Sequence, residues 1–109
     1  MQKAAKLFAE KYPEIISDGE MQLDCAIVPK SQVKKFPNSR IKGDANILIV
    51  PDINSGNLLG KAFHTVGGLE GIGPISQGFA RPISDLSRSA TVNEIVMISV
   101  ITAIQSQIE

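Results

Sequence analysis

Val92, Ile95, Val96, Met97, Ile98, Val100, Ile101 and Ile104 crowd a single stretch near the end of the chain. The capping signature Thr91-Val92-Asn93-Glu94 opens the stretch, so residues 91–106 are expected to form a helix. A helix with one apolar stripe rests on a core, whereas a helix apolar almost all round must be buried on more than one side. Ser99 and Thr102 interrupt the run, which falls well short of the roughly 20 residues needed to cross a bilayer. Its burial is therefore expected inside a protein. The remainder of a 109-residue chain offers little to surround such a helix. The chain is expected to be part of a larger protein, or to assemble with other chains.

The upstream segments predict helices alternating with strands. Residues 2–11 carry Ala4, Leu7 and Phe8 at helical spacing with lysines between them, and Pro13 stops that helix. Asp18-Gly19 predicts a turn. Residues 21–28 end in Ala26-Ile27-Val28, close at Pro29 and predict a strand. Residues 30–44 predict a short helical turn and an exposed loop. Residues 45–50 form the clearest strand, because Ile47-Leu48-Ile49-Val50 is a branched apolar run of the kind covered on both faces. A helix capped by Asn54 or Ser55 should follow and run to about Val66, closed by Gly67-Gly68. Residues 72–78 predict a third short strand, and residues 79–89 a loop. This order predicts an α/β fold, a partial three-layer α/β/α arrangement with a mainly parallel sheet.

Eleven basic and eleven acidic residues cancel. That balance argues against nucleic acid or an anionic membrane as a general partner. The N-terminus lacks a signal-peptide pattern, since Lys3, Lys6, Glu10 and Lys11 break any apolar stretch. Cys25 is the only cysteine, which fits a reducing, cytoplasmic setting. Within its apolar run it is expected to be a core residue and not a nucleophile. No His, Cys and carboxylate cluster has metal-ligand spacing, so no metal site is expected. His64, the only histidine, has no catalytic partner at local spacing.

Three stretches could carry chemistry. Pro51-Asp52-Ile53-Asn54-Ser55-Gly56-Asn57 follows the predicted buried strand, and ligands gather outside the carboxyl ends of strands in open parallel sheets. Asp52, Asn54 and Asn57 are the substrate-binding candidates there, although turn and cap chemistry explains the same residues. Gly67-Gly68-Leu69-Glu70-Gly71-Ile72-Gly73-Pro74 is glycine-rich but matches no nucleotide fingerprint, and a helix stop with a tight turn accounts for it. Asp85-Leu86-Ser87-Arg88 and the helix start beyond it form the third. Arg88 offers a planar fork suited to phosphate, Ser87 a hydroxyl for a developing oxyanion, and Glu94 a proton acceptor. Two readings compete for Glu94, because a capping box alone would also place a carboxylate there.

Across these stretches the sequence resembles the phosphate acetyl/butyryltransferase family, and the phosphate acetyltransferases in particular. Ala45-Asn46-Ile47-Leu48-Ile49-Val50-Pro51-Asp52-Ile53-Asn54-Ser55-Gly56-Asn57 is similar to the signature AN-x-L-I-x-PDLN-x-GN. Gly73-Pro74-Ile75-Ser76-Gln77-Gly78 resembles GPILQG, and Arg81-Pro82-Ile83-Ser84-Asp85-Leu86-Ser87-Arg88 resembles KPVNDLSRG. Ile101-Thr102-Ala103-Ile104-Gln105-Ser106 resembles ITAVQA, and the early segments resemble DGELQ and AIVP. The motifs run in order from about residue 15 to 107.

The resemblance implies the C-terminal portion of a two-domain acyltransferase with its cleft between the domains. Residues 1–70 would belong to the second α/β domain, and residues 71–109 would return to the first as a final strand and buried helix. It implies reversible acetyl transfer between coenzyme A and inorganic phosphate, with acetyl-CoA and acetyl phosphate as reactants and no prosthetic group. It also implies a missing N-terminal part and a homodimer. By the same resemblance Ser87 stabilises the transition state, Arg88 binds substrate and Glu94 takes the thiol proton. Asp52, Asn54, Asn57 and Asp85 would lie along the substrate site. Three departures bear on this: Glu94 replaces an aspartate, Ser89 replaces a glycine, and Ser84 replaces an asparagine. Phosphate butyryltransferase, a non-catalytic acetyl-CoA-sensing domain as in malic enzymes, and a structural remnant remain the alternatives.

Overall fold

The computed structural model of the chain describes residues 1–108. They fall into two compact units, Met1–Gly56 and the residues from Asn57 onward.

In the first unit, α1 (Gln2–Lys11) is the expected amphipathic helix. Its last turn closes with the Tyr12 N–H donating to the Phe8 carbonyl at 2.8 Å, and Pro13, lacking an N–H, cannot extend the series. The Phe8 and Tyr12 rings pack with centroids 5.1 Å apart, one helical turn along the same face.

The expected strand at residues 21–28 is not a strand. It contains α2 (Leu23–Ile27), followed at once by α3 (Pro29–Lys35). The physical reason lies in Pro29. It occupies the first position of α3, where a missing N–H costs nothing. It also forces the residue before it out of the helical region, and Val28 sits at φ −127°, ψ 109°. One proline thus separates two helices instead of ending a strand.

The α2–α3 corner forms the core of this unit. Cys25 is fully buried and Ala26 nearly so. Gln32 is only 1% exposed and is satisfied locally: its Nε2 donates to the Phe36 carbonyl at 2.6 Å, filling one of the acceptors that a helix end leaves open. Gly43, at φ +78°, packs its α-carbon onto the Val28–Pro29 peptide, where a methyl group would overlap backbone atoms. Outside this corner, Lys35 bridges Asp24 at 2.8 Å and also donates to Gln22 Oε1 at 2.7 Å.

Residues 45–50 are extended but form no ladder. The Ala45 N–H donates to the Ala26 carbonyl at 2.9 Å, while the side chains of Ile47 and Ile49 remain about three-quarters exposed. Among the described residues, β-pairing is limited to one antiparallel bridge between Ile75 and Ser84. The mainly parallel sheet expected from the sequence is therefore not formed by these residues, and the third predicted strand, at residues 72–78, amounts to that bridge. A strand is stable only against a partner, and these apolar runs have none within the described chain.

Helix α4 (Ile53–Lys61) continues into a π-helical turn, Ala62–Val66. Gly68, at φ +64°, ends it, as expected of a glycine beyond a helix terminus. The last helix, α5 (Val92–Gln105), starts at Thr91 with both halves of the predicted capping box. Of its apolar side chains only Ile98 is buried, while Ile95, Val96, Val100 and Ile104 stay about half exposed. Completing the burial of such side chains is worth about 1 kcal/mol each. The bare surface of α5 thus represents several kcal/mol, comparable to the roughly 5–15 kcal/mol that stabilises a typical domain.

Candidate active site

The segment before α5 holds Asp85, Ser87 and Arg88. Residues 83–85 pair with residues 74–76: the Ser76 N–H donates to the Ile83 carbonyl at 3.2 Å and the Asp85 N–H to the Pro74 carbonyl at 3.3 Å. A tight turn follows, closed by the Ala90 N–H donating to the Ser87 carbonyl at 2.9 Å. Ser87, Arg88 and Ser89 are exposed on this turn. The Ser89 N–H donates to Ser87 Oγ at 3.4 Å, and the two hydroxyl oxygens lie 3.0 Å apart. A hydroxyl that accepts from an amide keeps its own proton free to donate. No non-glycine residue described has a positive φ, so the serine at position 89 does not need the backbone freedom of the glycine it replaces. Arg88 makes no hydrogen bond or ion pair among the described residues, which leaves its fork facing solvent.

Glu94 lies in the first turn of α5. Its Oε2 accepts from the Thr91 N–H at 2.6 Å, and Thr91 Oγ1 accepts from the Glu94 N–H at 3.3 Å. The backbone hydrogen bond from Thr91 is the main cause that holds the Glu94 carboxyl below its ordinary value, followed by the Thr91 side chain. The basic side chains of His64 and Lys61 lower it further, so the end of α4 and its π-helical turn bring basic groups toward the start of α5. His64 Nδ1 lies 3.1 Å from the Leu69 carbonyl. A carbonyl only accepts, so Nδ1 carries the proton in that bond.

Asp85 lines an open groove of about 600 Å³ with Ser84, Leu86, Ile98 and Thr102. Ser87, Arg88 and Glu94 do not line it. Ser84, which the sequence marks only as a departure from the family pattern, has its hydroxyl 2.7 Å from that of Thr102. Period alone cannot reveal that contact, since it joins residues 18 positions apart.

Asp52, not Asn54 or Ser55, caps α4: its Oδ1 accepts from the Ser55 N–H at 2.9 Å and its Oδ2 from the Ser55 hydroxyl at 3.2 Å. The Ser55 amide is the leading cause of a lowered Asp52 carboxyl. Asn54 and Asn57 lie exposed on α4. Among the described residues, no three His, Cys, Asp or Glu side chains gather to hold a metal ion, and no helix is long and apolar enough to cross a membrane.

The exposed serine–arginine turn thus precedes, by a few residues, a carboxylate that caps the start of α5. The chain belongs to the phosphate acetyl/butaryl transferase family, whose profile matches residues 1–103. It is 45% identical to the phosphate acetyltransferase of Acetivibrio thermocellus over 105 residues, covering 96% of this chain and 32% of that protein. It is 43% identical to the Bacillus subtilis phosphate acetyltransferase, covering 94% and 32%. Among solved structures it is similar to the EutD phosphotransacetylase from Staphylococcus aureus, with a TM-score of 0.83 at 40% identity, covering 96% of this chain and 33% of that one. The chain therefore spans about a third of the length of the relatives it matches.

Proposed function

We propose that this chain supplies the C-terminal part of a phosphate acetyltransferase, which moves an acetyl group between coenzyme A and inorganic phosphate. The observation that carries this reading is the family match over residues 1–103, and the exposure of Ser87 and Arg88 on their turn supports it. In the forward direction the coenzyme A thiol loses its proton to Glu94, through the carboxylate oxygen that the capping box leaves free. The thiolate sulfur attacks the carbonyl carbon of acetyl phosphate. The Ser87 hydroxyl donates to the carbonyl oxygen as it gains negative charge. Arg88 holds the phosphate bidentately, and the carbon–oxygen bond breaks to release phosphate and acetyl-CoA. Acetyl-CoA and coenzyme A are substrates in this scheme, which uses no resident cofactor. Asp52, Asn54, Asn57 and Asp85 are proposed to shape the substrate site.

The remaining two-thirds of such an enzyme covers the apolar sides of α5 and pairs residues 45–50 into a parallel sheet, completing a three-layer α/β/α arrangement. Residues 1–70 then belong to the second domain and residues 71–109 to the first, and the whole acts as a cytoplasmic homodimer. The family description includes butyryl transfer, so acyl-chain length is the second reading. The experiment is formation of acetyl phosphate from acetyl-CoA by the full native polypeptide carrying this sequence, with butyryl-CoA run in parallel. Ser87→Ala should lower kcat by about 10²–10³, and Arg88→Ala should raise KM for phosphate. Full activity in both variants would refute the assignment.

A further inference from the structure

Thr102 Oγ1 lies 2.8 Å from the Ile98 carbonyl and 2.7 Å from Ser84 Oγ. A hydroxyl carries one hydrogen and a carbonyl can only accept. Both contacts are hydrogen bonds when Thr102 donates to Ile98 and Ser84 donates to Thr102. This relay ties Ser84 to the last turn of α5. Among the described residues the backbone of Ser84 is otherwise held by one isolated bridge to Ile75 and two long flanking bonds, from the Ser76 N–H at 3.2 Å and the Asp85 N–H at 3.3 Å, so the Thr102 contact adds a hold that the bridge alone does not supply. Ser84 is thus fixed on two sides, three residues before Ser87.

The other end of the segment is fixed as well. Thr91 is held to Glu94 by the capping box, so the six residues between Ser84 and Thr91 form a strap anchored at both ends. From Thr91 to Thr102 the helix rises about 16 Å, while seven residue steps of extended chain reach at most about 25 Å. The strap must run back along α5, and its slack is taken up by the turn that carries Ser87 and Arg88. Moving the Ser84 anchor therefore moves that turn.

We infer that Ser84 and Thr102 are positioning residues for acyl transfer, setting where the Ser87 hydroxyl and the Arg88 fork stand relative to the reacting carbonyl. The inference rests on the acetyltransferase reading above. Its physical content is separately measurable. In the full native polypeptide, Thr102→Val keeps the branched shape and removes the hydroxyl, Ser84→Ala removes its partner, and Thr102→Ser restores the bond. Loss of the bond should speed hydrogen exchange of the Ala90 amide, which closes the turn. It should also lower kcat about tenfold, since misplacement of a reacting group by a fraction of an ångström acts on that scale, with KM for coenzyme A unchanged. The double variant should be no slower than either single one, and Thr102→Ser should recover both readouts. A purely structural bond would lower thermal stability and leave kcat intact. That result overturns the proposal, as does unchanged exchange at Ala90. If the unaltered protein transfers no acetyl group, the functional reading fails instead, and the Ala90 exchange alone decides whether Ser84 and Thr102 set the turn.

Discussion

The Glu94 carboxylate accepts a 2.6 Å hydrogen bond from the Thr91 backbone N–H while Thr91 accepts one in return from Glu94. The residue proposed to accept the thiol proton is therefore also a helix cap, and the two roles separate by substitution. Glutamine at the third helical position still closes a capping box but cannot take a proton. Glu94→Gln should keep thermal stability near that of the parent and lower kcat by about 10²–10³. Glu94→Ala should lose both activity and the cap, which is worth about 1 kcal/mol in such motifs. Retained kcat in Glu94→Gln, measured by acetyl phosphate formation, would reduce Glu94 to a cap.

A second prediction concerns the α2–α3 corner. At Gly43 a side chain would both overlap the Val28–Pro29 peptide and occupy φ +78°. The left-handed conformation alone costs a non-glycine residue about 1–2 kcal/mol, and the overlap is with backbone, which cannot rotate away. Gly43→Ala should destabilise by more than about 2 kcal/mol in urea titration. Gly60→Ala, which meets nothing within 4 Å, should be neutral or slightly stabilising, because it replaces a helical glycine.

Cys25 should behave as a core residue. Burial, and then the neighbouring Asp24 carboxylate, push its thiol up, and only the thiolate is reactive. Labelling by a disulfide reagent at neutral pH should be slow in the native protein and fast after unfolding. Rapid labelling of the native state would contradict the packing of α2 against α3.

The Asp24–Lys35 pair gives a pH signature. The hydrogen bond from Lys35 holds the Asp24 carboxyl below its ordinary 3.8, so its contribution is present above that value and lost as pH falls through the lowered one. Asp24 likewise raises Lys35 above its ordinary 10.5, so that contribution is complete below 10.5 and lost as pH rises through the raised value. The Tm difference between the parent and Lys35→Met should be flat from about pH 5 to 9 and shrink toward both extremes. It should also be small, because both side chains are more than two-fifths exposed.

The sequence made local features legible and non-local ones illegible. Pro13 ending α1, Gly67-Gly68 ending the helix before it, and the Thr91–Glu94 box opening α5 are decided within one helical turn, and each appears where its residues predict. The Ala26-Ile27-Val28 run read as a strand because branched residues fit strands. Pro29 decided otherwise, since a proline that closes one element can equally open the next. Ile47-Leu48-Ile49-Val50 reads as a buried strand by composition, but a strand is a relation between segments, and among the described residues the run is extended with no ladder partner and with Ile47 and Ile49 exposed. The site divides the same way. Ser87, Arg88 and Glu94 were visible as motif residues, whereas the contact between Ser84 and Thr102 depends on a chain reversal that no spacing rule encodes.

The unladdered run at residues 45–50 carries a further consequence for anyone handling the chain by itself. Four consecutive branched or aliphatic residues whose main-chain donors and acceptors find no partner among the described residues, with no charge and no internal proline, are the ingredients of a cross-β template. Concentrated samples should thicken into fibrils seeded from this segment. A single lysine at position 49, where the isoleucine is 77% exposed, should suffice to keep the solution clear.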